Sequence, residues 1–185
     1  GSKGVSVVAS AEQVDTAFAQ AAAVRSAGDI LVEEFVVGRH LAAECFLHAG
    51  QLVLCMVTER ETTGVPHMIT TVHRAPALLE PAVGRRIETD IARVAEHLGL
   101  ESGPLNLDLV LTADGTPYLI ELGARLGGNG MPGMVLSCTG ADTVAAAVDL
   151  ACGREPVIRT TRDCAAGVVI LHSALDGAIT AIDGL

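Results

Sequence analysis

Apolar positions along the chain follow two periods, and the switches between them mark out the elements. Val5 to Val8 reads as a short strand. Ser10 and Gln13 have the spacing of a capping box, opening a helix striped by Val14, Phe18, Ala21 and Ala22 that Gly28-Asp29 stops. Ile30 to Val37 predicts a strand interrupted by Glu33-Glu34. Two more strands follow Gly38, roughly His40 to His48 and Gln51 to Val57, joined by a hairpin at Ala49-Gly50. Glu59 to Pro66 predicts a polar, mobile loop. Beyond Pro76 to Pro81, the positions Ile87, Ile91, Val94, Ala95 and Leu98 form the clearest helical stripe, which Gly99 ends. A further hairpin comes next, then the glycine-dense stretch Gly123 to Gly133 and a small-residue helix over about Asp142 to Cys152. Strands are expected again at Cys164 to Ile170 and Ala178 to Ile182. Strands outnumber helices and hairpins recur, which predicts an α+β fold with a largely antiparallel sheet packed with helices.

Composition narrows what such a fold can do. Half of the 185 residues are apolar and 18% are charged, so a core can be buried and global disorder is excluded. One Tyr, three Phe and no Trp leave no stacking platform for single-stranded nucleic acid. With 12 basic residues against 22 acidic ones and a net charge of −10, no basic face for phosphodiester backbones is expected either. A small phosphorylated ligand held through a metal stays open. No apolar run approaches the ~20 residues that span a bilayer, so no membrane partner is expected. The five cysteines are never closer than ten residues and have aliphatic neighbours. They read as buried free thiols in a cytoplasmic protein rather than a zinc site. The chain opens in a glycine-flanked turn and ends at Asp183-Gly184-Leu185 straight after a predicted strand, which reads as a fragment of a longer protein.

The chemistry concentrates between Asn106 and Gly130. Asp114-Gly115 favours a two-residue type I′ hairpin, which pairs Ala113 with Thr116. Counting outward two residues at a time, Asp108 falls opposite Glu121. Leu107, Leu109, Leu111, Tyr118, Ile120 and Leu122 then share a core face, and Asn106, Asp108 and Glu121 the other. Carboxylates facing each other across a sheet lie about 4.5–5.5 Å apart at Cβ and repel. A solvated acidic face would screen them; otherwise a cation or a shared proton must sit between. Two carboxylates completed by water and phosphate are a set that Mg²⁺ takes. Arg125 follows four residues after Glu121 and can hold a carboxylate or phosphate bidentately, while Gly127 and Gly128 let backbone amides approach an anion.

The run Asp108…Glu121-Leu-Gly-Ala-Arg125-Leu-Gly-Gly resembles the metal-binding end of the ATP-grasp superfamily, in its carboxylate–amine ligase branch. Leu31-Val32-Glu33-Glu34-Phe35-Val36-Val37-Gly38 is similar to that superfamily's adenine-binding hinge. Val65-Pro66-His67-Met68, with His73 and Ala75-Pro76-Ala77, resembles the segment after its mobile loop, and Gly1 to Val5 the end of its phosphate lid, with Lys3 inside it. The resemblance implies an ATP-grasp fold with a truncated N-terminal lid subdomain. It divides the chain into a lid remainder over 1–36, a catalytic subdomain over 37–155 and the start of a C-terminal β extension over 156–185. It implies ATP and Mg²⁺ as cofactors, with Mn²⁺ as a substitute, and small-molecule carboxylate and amine substrates. It allows a homodimer.

In that reading Asp108 and Glu121 hold the metal and Arg125 is the catalytic cation. Glu33, Glu34, Phe35, Val36, His40, Gly127 and Gly128 contact the nucleotide. The lid lysine of the family lies outside these residues, so nucleotide binding without turnover is expected of this chain alone. His40 stands where the ligases carry Glu, as in the biotin-carboxylase branch; Gly123 replaces a frequent Asn, and Asn106 a frequent His. A biotin-carboxylase-like enzyme and a non-catalytic ATP-grasp binding module are therefore the alternatives. His40 reads equally as a surface strand histidine, Glu44 as a solvent-facing carboxylate, and His67 and His73 as exposed loop residues.

Overall fold

A computed structural model describes residues 4–64, 68–172, 177–178 and 180–181. Its centre is a six-stranded sheet in the order β5-β4-β1-β2-β3-β6, antiparallel throughout. The strands are β1 (Arg39–His48), β2 (Gln51–Thr62), β3 (Thr70–Ala75), β4 (Gly103–Leu111), β5 (Pro117–Gly123) and β6 (Ala166–Val169). The β1–β2 hairpin turns at Ala49 and Gly50, whose φ values of 49° and 75° are both left-handed, as a type I′ turn requires. β2 does not stop at Val57. Glu59 to Thr62, expected as loop, continue the strand, because β3 pairs along them, β1 reaches Glu59, and their charges find partners on neighbouring strands. Arg39 donates to Glu59 at 2.5 Å, and Arg74 to Glu61.

Alternation gives the sheet two buried faces. On one, the helix α2 (Pro81–His97) sets Ile87, Ile91 and Ala95 against Leu41, Ala43, Leu47, Leu105, Leu107 and Leu109. Leu98, at the end of the expected stripe, is exposed beyond the last helical turn. The opposite face carries Phe46, Leu54, Met56 and Ala75 beneath α3 (Met131–Thr139) and α4 (Thr143–Ala151). α3 was hidden in the glycine-dense stretch. It begins after Gly130 in a left-handed conformation, and burial of Met131, Met134, Val135 and Cys138 on one stripe holds it despite Gly133. α4 follows from the expected helix, with Asp142 accepting the Ala145 N–H at 2.9 Å as its cap.

The termini depart from expectation. α1 (Val14–Val24) is preceded by a 3₁₀ turn over Ala11–Gln13 and ends before Gly28. Gln13 Oε1 accepts the Ala9 N–H at 2.8 Å rather than that of Ser10, and Ser10 makes no capping bond, so the capping box does not form. Val5 to Val8 and Ile30 to Val37, expected as strands, pair with no strand among the described residues. Leu31, Val32 and Val37 are accordingly 77%, 82% and 75% exposed. β propensity alone does not make a strand; a ladder partner does. At the other end the strand is shorter than Cys164 to Ile170, and β6 pairs with β3. The strand expected at Ala178 to Ile182 lies partly outside the described residues, and residues 178, 180 and 181 are not in a strand. Among the described residues no single helix is long and apolar enough to cross a membrane.

Candidate functional site

The β4–β5 hairpin opposes Asp108 to Glu121, by a route the residue count did not anticipate. The Gly115 N–H bonds Thr112 O at 2.9 Å, the Thr112 N–H bonds Thr116 O at 3.1 Å, and within the loop only Gly115 has a positive φ, of 80°. The loop is therefore Ala113 to Gly115, not a two-residue type I′ turn, and Ala113 does not pair with Thr116. Pairing near the turn is displaced by one: Leu111 faces Pro117, Val110 faces Tyr118 and Leu109 faces Leu119. A bulge at Ile120 then cancels the displacement, and Asp108 meets Glu121. Tyr118 consequently shares the face of Val110 rather than the core face; Pro117 takes its expected place opposite Leu111, and Leu119 that of Ile120 opposite Leu109.

From this pair a polar row runs across the sheet through Glu121, Asp108, Ala42 and Thr58, all cross-strand partners on one face. Arg60 lies two residues beyond Thr58 on that face and pairs across β3 with His73. Its Nη1 donates to Asp108 Oδ2, and the Arg60 and Asp108 side chains are only 15% and 29% exposed. An internal cation therefore offsets part of the charge at Asp108. Ala42 between them has only a methyl group, which leaves room for a cleft of about 390 Å³. Its walls bring together Asp108, Glu121, Arg125, Arg60, His73 and Asn129, with Gly128 and Met131 leading into α3. The N-terminal end of α3 thus opens on the cleft, a position that favours an anion.

A second buried group shapes the loop above the cleft. Glu44 is fully buried, contrary to the solvent-facing expectation. Its Oε1 accepts the Gly127 N–H at 2.8 Å and its Oε2 accepts from Asn106 Nδ2 at 3.2 Å. Burial pushes the Glu44 carboxyl up, and the Gly127 and Asn106 donors and the Arg125 charge hold it back. Thr58 Oγ1 lies 3.3 Å from His73 Nδ1. Burial, then the Arg60 charge, pushes both His73 and His40 below the ordinary imidazole value, with Asp108 opposing. Both rings are thereby favoured neutral near pH 7. His40 Nδ1 and Arg60 Nε are buried with no hydrogen-bond partner among the described residues.

Of the residues singled out in the sequence, Asp108, Glu121, Arg125 and Gly128 line this cleft together. Gly127 sits beside it, tied to Glu44, and His40 lies on the same sheet face beside Val110. Glu33, Glu34, Phe35 and Val36 belong to the unpaired segment before β1 and are not among the cleft's lining residues. Lys3 and Val65 to His67 lie outside the described residues, whereas His73, expected as an exposed loop residue, is a buried strand residue. Arg60 and Glu44 were missed: the first lies in an all-polar run, Thr58 to Thr63, with no apolar alternation to mark it as strand, and the second was read as solvent-facing. No group of three or more His, Cys, Asp or Glu side chains converges among the described residues. The two side-by-side carboxylates on an open cleft wall nevertheless fit a hard divalent ion that takes its remaining ligands from water or phosphate.

Comparison with known proteins gives this arrangement a context. The family profile for the ATP-grasp domain matches residues 1–133. The chain is 32% identical to Carnosine synthase 1 of Homo sapiens over 131 residues, 71% of this chain and 16% of that protein. It resembles the crystal structure of L-amino acid ligase from Bacillus licheniformis with a TM-score of 0.65 and 29% identity, covering 75% of this chain and 35% of that one. Biotin carboxylase from Campylobacter jejuni, at a TM-score of 0.72 but 17% identity, covers 86% of this chain and 37% of that one, and shares the fold. The chain thus spans well under half the length of these relatives.

Proposed function

We propose, for a chain that belongs to the ATP-grasp domain family, that it forms the nucleotide- and metal-binding part of a ligase that activates a carboxylate with Mg-ATP as an acylphosphate and joins it to an amine. The observation that carries this reading is the single cleft that gathers Asp108, Glu121, Arg125 and Gly128. Asp108 and Glu121 would hold Mg²⁺, which when bound bridges phosphate oxygens and offsets their charge. Arg125, which lines the cleft, would steady the acylphosphate or the substrate carboxylate. The Gly128 and Asn129 backbone would offer donors to an anion, the Gly127 N–H being engaged by Glu44. Glu33 and the Phe35–Val36 backbone would recognise adenine, with aliphatic rather than aromatic cover. Ligase chemistry is preferred over the carboxylase alternative because relatives near 30% identity are a carnosine synthase and an amino acid ligase, whereas the biotin carboxylase is at 17%.

Calorimetric titration of the chain with ADP, across a range of Mg²⁺ concentrations, tests this. Weak Mg²⁺-dependent binding is expected, and Glu121→Gln should remove most of the metal dependence, because a neutral amide is a poorer ligand for a hard cation. Glu33→Ala should weaken adenine nucleotides relative to GTP and leave the metal requirement alone. An unchanged Mg²⁺ midpoint in Glu121→Gln would reduce the facing acids to surface charge.

A further inference from the structure

Cys45 and Cys55 are ten positions apart in sequence, yet the β1–β2 hairpin makes them direct cross-strand partners. Their Sγ atoms lie 3.4 Å apart, and both thiols are free. Cys45 is fully buried in the layer under α2, whereas Cys55 beside it is partly exposed. Directly opposed strand residues have Cα atoms about 4.5 or 5.5 Å apart, depending on the pair type, and both values fall inside the range a disulfide spans. Both side chains point to the same face, so closure needs side-chain rotation and a small strand adjustment rather than refolding. Neither thiol serves the cleft, which lies on the opposite face of the sheet.

We propose that Cys45 and Cys55 form a reversible dithiol–disulfide site that staples the two central strands when the protein meets a disulfide oxidant such as oxidised glutathione. The order of events follows from accessibility. The Cys55 thiolate attacks one sulfur of the oxidant, forming a mixed disulfide and releasing one glutathione thiolate. Cys45, within reach at 3.4 Å, then gives up its proton and attacks Cys55 Sγ, releasing the second glutathione. Two protein thiols are oxidised and one small disulfide is reduced to two thiols. The Cys55 contact, then burial, pushes the Cys45 thiol well up, so the partly exposed Cys55 and not Cys45 makes the first attack.

The test uses the whole chain and oxidised glutathione, read by mass spectrometry of an unreduced tryptic digest. No Lys or Arg separates the two cysteines, so the peptide His40–Arg60 holds both and no other cysteine. It should lose two hydrogens on oxidation and regain them with dithiothreitol. In Cys45→Ser the reaction should stop at a glutathione adduct on Cys55, and in Cys55→Ser the peptide should stay unmodified. The exposed Cys152 and Cys164 report that the oxidant is active. If they react while His40–Arg60 stays reduced, or stops as an adduct with both cysteines present, the proposal is overturned.

Discussion

Replacing Gly127 by Ala places one methyl group where Glu44 has no room to yield. A Cβ there would lie 2.3 Å from Glu44 Oε2, 2.9 Å from Asn106 Nδ2 and 2.9 Å from Met131 Cβ. Glu44 is fully buried, so its carboxylate can move only by dropping the Gly127 N–H at 2.8 Å or the Asn106 amide at 3.2 Å. A hydrogen bond to an ionised group contributes about 1.5–3 kcal/mol, and overpacking a filled interior costs about 1–3 kcal/mol. Together these give a loss of about 3–5 kcal/mol, a large part of a typical domain's stability. Urea unfolding followed by far-UV circular dichroism measures it, since the chain has no Trp and one Tyr. The decisive control is the same substitution in a Glu44→Ala background. There the carboxylate is gone and only the Asn106 and Met131 contacts remain, so Gly127→Ala should cost about 1–3 kcal/mol of overpacking, giving a coupling of about 2 kcal/mol in the double-mutant cycle. Equal costs in the two backgrounds would show that Glu44 does not hold the loop and refute the reasoning.

Arg60→Gln removes the internal cation from Asp108 and should cost about 1–3 kcal/mol, below the range for a fully buried pair because both partners keep some exposure. Added Mg²⁺ should raise the thermal midpoint of Arg60→Gln more than that of the parent; an equal response would mean that the metal does not use this carboxylate pair. His73 is held below its ordinary value of 6.5, so between that pH and its lowered folded value the unfolded chain binds the extra proton. Stability should therefore fall as pH drops through that window, and His73→Gln should make the fall shallower in urea titrations at successive pH values. Asp142→Ala removes the α4 cap and should cost about 1 kcal/mol by urea unfolding, with a loss under a few tenths showing the cap bond to be idle.

What the sequence determined by itself was much of what depends on local period and turn chemistry, though not the Asp114-Gly115 turn. The α2 stripe, the Ala49-Gly50 turn, the apolar face of β4 and the antiparallel character of the sheet all follow from side-chain alternation and backbone preference within a few residues. The Asp108–Glu121 pairing was also legible, though the count reached it through two displacements that cancel, the three-residue loop and the bulge at Ile120. Tertiary structure decided the rest. Whether Ile30 to Val37 is a strand depends on a ladder partner, and none is present among the described residues. Glu59 to Thr62 look like loop by charge and are strand because β3 pairs along them. Arg60 and Glu44 take their meaning from residues 48 and 83 positions away, Asp108 and Gly127. No local pattern encodes such contacts. They arise because the sheet places β2 and β4 on either side of β1, so side chains remote in sequence must neutralise and satisfy one another on a single buried face.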